Sequence, residues 1–148
     1  MTRKYATREK QGTLIRKINN MMPVPEVTRT AIALSLLVRV SALELAPCRL
    51  DAAMHDMVRH LIGDLSTMSA TVEELAGIFE AEVDIRRQCE ATVEALQRTA
   101  ACWKLRLKPA ASDLACFKKT IDLLDEMLRQ TQLGEYKAAL ARVAARLS

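Results

Sequence analysis

Two histidines occur in the chain, His55 and His60, and with Asp51 and Asp56 they form the one cluster whose residue types could hold a metal. Imidazole and carboxylate are the ligands that zinc and its neighbours take. Helical spacing divides the four. At roughly 100° per residue, Asp51 and His55 share one face while Asp56 and His60 share the opposite one. Two ligands per face read as surface i,i+4 pairs, so neither a metal nor another cofactor is expected. The four cysteines, Cys48, Cys89, Cys102 and Cys116, are scattered with no C-x-x-C pair. They read as free thiols of a reducing compartment, cytoplasmic or nuclear. No glycine-rich phosphate loop, G-x-S-x-G elbow or H-E-x-x-H helix occurs. The expectation is a protein that is not an enzyme.

Charge is the other chemistry on offer, and it is unevenly spread. Residues 1–20 carry Arg3, Lys4, Arg8, Lys10, Arg16 and Lys17 against Glu9 alone, whereas the remaining 128 residues are close to neutral. Leu14, Ile18 and Met21 or Met22 recur at helical spacing beside Arg16 and Lys17, which describes a short basic amphipathic helix preceded by a looser stretch. Such an arm can meet nucleic-acid phosphate, an anionic membrane or an acidic protein surface. An acidic receptor exists within the chain itself. Residues 72–94 hold seven carboxylates against Arg86 and Arg87, and residues 98–108 reverse the sign with Arg98, Lys104, Arg106 and Lys108.

The elements that carry these charges read as helical throughout. Gly and Pro number four each, aromatics only five, and Leu and Ala dominate, a composition of good helix formers. Pro23 and Pro25 separate a partly flexible basic arm, residues 1–22, from a single helical domain, residues 23–148. The first body helix is expected at about 25–46. Its apolar residues, among them Leu34, Leu36, Val38, Val40, Leu43 and Leu45, cover nearly the whole circumference, so it must be buried on most sides or shared with a partner. Its most apolar run, residues 31–38, is closed by Arg29 and Arg39 and is too short to span a membrane. A second helix is expected at about 49–65, with a bend where Gly63 and a Ser/Thr-rich stretch follow.

The third helix, at about 71–108, opens on a Thr71-Val-Glu-Glu74 capping box. From there a 3–4 spacing runs through Val72, Leu75, Phe79, Glu82, Arg86, Cys89, Val93, Leu96, Ala100, Trp103 and Leu107. Five heptads in one phase describe a coiled-coil seam, and a helix of that length would span roughly 54 Å. A fourth helix, at about 112–147 with a break near Gly134, follows a short loop and pairs back on the third. The expected fold is all-α, an elongated helical bundle with a long coiled-coil-like antiparallel helical hairpin.

These features describe an interaction or scaffold subunit that assembles with itself or a helical partner. Leu75, Phe79, Glu82, Arg86, Val93, Leu96 and Trp103 line the expected seam, and the arm adds a secondary electrostatic contact. The alternative is a small nucleic-acid-binding regulator that presents the basic arm to a duplex. The near-neutral body speaks against it, since nucleic-acid readers usually carry a basic face on the fold as well.

Overall fold

A computed structural model describes residues 8–46 and 52–147 and is all-α. Among the described residues, six helices follow one another: α1 (Arg8–Met21), α2 (Glu26–Leu45), α3 (Ala52–Leu75), α4 (Glu82–Lys104), α5 (Ala111–Arg129) and α6 (Leu133–Leu147). A 3₁₀ turn, Ala76–Ile78, lies between α3 and α4.

The expected helix at 71–108 is therefore two helices, and the second helix does not end near 65. The Ser/Thr-rich stretch stays helical, with its threonine hydroxyls satisfied on their own turns. Thr67 donates to the Gly63 carbonyl at 2.9 Å and Thr71 to the Thr67 carbonyl at 2.8 Å. Thr71 is thus mid-helix and buried, not the cap of a capping box. Leu65, Met68, Val72 and Leu75 lie on the buried face of this stretch, and their burial outweighs a propensity cost of a few tenths of a kcal/mol per residue. The chain then reverses at 76–81, where Phe79 takes an extended conformation. One long helix would have left much of its apolar stripe in water, whereas folding back lets α4 bury against α3.

Contacts along the two helices show that they run antiparallel. His55 meets Trp103 edge-on at 4.3 Å, Ser69 and Cys89 exchange hydrogen bonds at 3.5 and 3.6 Å, and Glu73 pairs with Arg86 at 3.6 Å. The α4–α5 pair is antiparallel too. Arg98 holds Asp113 through two nitrogens near the connecting loop. Two turns away, Gln88 donates to Thr120 at 3.0 Å, and the Thr92 and Thr120 hydroxyls are 2.7 Å apart. On the other side, α2 joins α3 through Arg39–Asp64 at 2.6 Å and α5 through Arg29–Asp125 at 3.7 Å. Helices α2 to α5 form an up-down-up-down bundle, with Phe117, Leu65, Leu75, Ile121 and Leu128 fully buried inside. Its longest helix has 24 residues, about 36 Å, which replaces the longer rod that the heptads suggested.

Two further elements close one end. Helix α6 packs on α3 by burying Ala139 and Val143. The break before it falls at 130–132, with Gly134 inside its first turn. Helix α1 packs on α6, and there Gly134 is needed: a Cβ at that position would lie 2.8 Å from Asn20 Cβ and 3.1 Å from its carbonyl oxygen. The proline-flanked connection is tied down as well. Val24 N–H donates to the Thr131 carbonyl at 3.3 Å, and Leu133 N–H donates to the Met22 carbonyl at 2.8 Å.

Helix α4 ends in a Schellman motif. Leu107 N–H reaches the Cys102 carbonyl at 2.8 Å and Arg106 N–H reaches the Trp103 carbonyl at 3.0 Å. Arg106 sits at φ 59°, where a side chain is strained and glycine is not. Arg106→Gly relieves roughly 1–2 kcal/mol of strain and loses about half of that to a freer unfolded chain. Urea unfolding should show a gain of about 0.5–1 kcal/mol; a loss would mean that the Arg106 side chain itself stabilises the loop.

Candidate functional site

The structure disperses the expected seam of 72–107. Leu75 and Leu96 are 0 and 5% exposed in the chain's own core, whereas Val93 faces solvent at 44%. Phe79 is half-buried at the reversal, and Trp103 is half-buried against His55. Glu82 and Arg86 pair along α4 at 2.9 Å, and Arg86 also reaches Glu73. The register survived the reversal in the sequence because Leu75 and Glu82, the residues flanking it, are one heptad apart.

A continuous exposed seam lies on α2 instead. Val27, Ala31, Leu34, Val38, Ser41 and Leu45 follow one another at steps of 4, 3, 4, 3 and 4. At roughly 100° per residue they fall within about 40° of a single line. All six are exposed, with Val27 at 81%, Leu34 at 58%, Val38 at 67% and Leu45 at 68%. The opposite side of α2 supplies Leu36, Val40 and Leu43 to the core. No charged residue lies on the seam, and small Ala31 and Ser41 leave room for a neighbouring backbone. Sequence reasoning saw a helix apolar all round but did not separate its two stripes. The 4–3 spacing was the signal that could have found the outer one.

No protein-family model, curated protein or solved structure matches this chain.

The basic arm is placed in part. Arg3 and Lys4 lie outside the described residues, Arg8 and Lys10 fall at the start of α1, and Arg16 and Lys17 are exposed further along it. Leu14, Ile15, Ile18, Met21 and Met22 are each more than half exposed, so α1 meets α6 through the Asn20 edge and leaves its apolar face outward. Among the described residues, the arm's helix packs chiefly on α6 rather than on the acidic segment at 72–94. Glu74 of that segment instead takes Arg142 at 2.8 Å and Arg146 at 3.4 Å from α6. Among the described residues, no helix is long and apolar enough to cross a membrane.

The polar groups between helices are occupied with one another. Gln88 donates to Thr120, the Thr92 and Thr120 hydroxyls bond, and Thr92 reaches the Gln88 carbonyl at 2.7 Å. Burial pushes the Cys89 thiol up to about 11, which keeps it protonated and a poor nucleophile at neutral pH.

The Arg142 hydrogen bond, with the charges of Arg146 and Arg86, lowers the Glu74 pKa despite partial desolvation. A carboxyl lowered in the folded state stabilises fully above its unfolded pKa, about 4.3, and that contribution disappears as pH falls through the lowered value. Glu74→Gln should therefore melt below the unaltered chain at neutral pH. The two melting temperatures should converge as the pH is taken down past the lowered pKa. A gap that persists in acid would assign the effect to packing rather than charge.

Proposed function

We propose that this protein is an interaction subunit rather than a catalyst, and that it assembles with a second copy of itself across the α2 seam. The observation that carries the reading is the symmetry of the exposed stripe. Its spacing reads the same from either end. In an antiparallel pair, Val27 faces Leu45 of the second copy, Ala31 faces Ser41, and Leu34 faces Val38.

That self-complementarity is what a two-fold interface requires, since each residue must meet its counterpart reciprocally. The 4–3 spacing supplies knobs for coiled-coil packing, and an exposed uncharged apolar stripe of this length is a feature monomeric proteins rarely keep. Arg16 and Lys17 on α1 provide a secondary electrostatic contact to an acidic surface. The test is mass by light scattering over about a hundredfold dilution. Twice the chain mass, falling to one chain on dilution or on placing charge in the seam, supports the reading. One chain mass throughout would sink it.

A further inference from the structure

The other end of the bundle carries an open groove of about 800 Å³ between α3 and α4. It exists because small residues stand where the two helices would otherwise fill the space. Gly63 and Ala100 line it, and a Cβ built on Gly63 would meet nothing within 4 Å. Val58 and Ile62 supply apolar surface, and Trp103 is half-buried in its wall, held edge-on by His55.

The polar groups of the groove are of one sign. Arg59 and Lys104 line it, both exposed, and neither makes an ion pair among the described residues. No carboxylate is found among the described lining residues. Arg98 and Arg86 show the contrast, since each has an acidic partner on a neighbouring helix. Two unpartnered cations and an imidazole around an apolar, aromatic-walled space of this volume match the usual make-up of a small-molecule site. Cations beside an indole face also favour a ligand that brings both a negative group and a flat or aliphatic body.

We propose that the α3–α4 groove is a binding site for a small amphiphilic organic anion, with Arg59 and Lys104 holding the acidic group and Trp103 with Ile62 holding the apolar body. The site is separate from the α2 seam, so it stands or falls independently of self-assembly.

Trp103 is the only tryptophan in the chain, so energy transfer from it is strongest for a probe in this groove, and its loss on filling the groove separates groove-bound probe from probe on the α2 stripe. The probe is 8-anilinonaphthalene-1-sulfonate, with neutral N-phenyl-1-naphthylamine as the uncharged comparison. The expected result is saturable one-to-one transfer from Trp103 to the sulfonate. Arg59→Gln with Lys104→Gln should weaken the sulfonate about tenfold or more, consistent with losing charge-assisted hydrogen bonds. The same pair should change the neutral probe less than about twofold. Gly63→Leu should remove both signals while circular dichroism stays that of the unaltered chain and melting holds or rises slightly, because leucine favours a helix over glycine and the added side chain enters open space. Transfer that ignores Gly63→Leu, or a sulfonate affinity unmoved by loss of the two cations, would overturn the assignment. So would transfer seen only when an anionic lipid is presented in vesicles.

Discussion

Chains carrying Leu34→Glu and Val38→Glu together are expected to remain single at concentrations where the unaltered chain pairs, with helicity and melting little changed. Both side chains are more than half exposed in the single chain, where surface substitutions usually stay within about 0.5 kcal/mol each. In an antiparallel pair each substitution enters twice, and carboxylates then stand opposite one another. Loss of apolar contact at roughly 1 kcal/mol per side chain already totals about 4 kcal/mol, close to a thousandfold in Kd before any desolvation of charge is added. The orientation can be tested in the same experiment. Leu34→Lys combined with Val38→Glu places unlike charges across an antiparallel seam and should retain more association than the double glutamate. A parallel pair would set like charges against each other and gain nothing from the swap.

Leu75→Ala is the second large effect. The heptad pattern made Leu75 a partner-facing residue, which would leave an isolated chain nearly indifferent to its loss. The structure buries it completely between α3 and its neighbours. Truncating a fully buried leucine costs about 2–5 kcal/mol, because the transfer energy of the lost atoms is joined by that of the cavity they leave. At about 2–4 °C per kcal/mol for a chain of this size, melting should fall by roughly 5–15 °C. Val93→Ala, from the same pattern but exposed, should stay within about 0.5 kcal/mol. Equal, small effects at the two positions would mean that α4 does not fold back on α3 as described.

Individual residues show how much of this was legible in advance. The break at 76–81 was hidden because Gly77 is the one weak helix former in it and because the apolar phase continues across the turn. The Ser/Thr stretch before it looked like an interruption. Hydroxyls that can bond to their own helix, as Thr67 and Thr71 do, remain helical when the opposite face is buried. The acidic run at 72–94 was legible as a receptor for cations, but not which cations reach it. Glu74 could attract any nearby cation, and only the position of α6 puts Arg142 and Arg146 there. The groove left no sequence signal, since Gly63, Ala100, Arg59 and Lys104 come from two helices that meet only in the fold.

What the sequence by itself determined is the all-helical class, the helix break that the prolines put after α1, and the presence of more apolar surface on α2 than its buried side uses. Those follow from composition and from periodicity over a few turns, which are local. The tertiary structure decided where the third stretch folds back and which of the two stripes of α2 is buried. Both choices depend on the total surface that neighbouring helices can cover at once. No stretch of one helix contains that sum, so the stripe left in water becomes visible only when the other helices are in place.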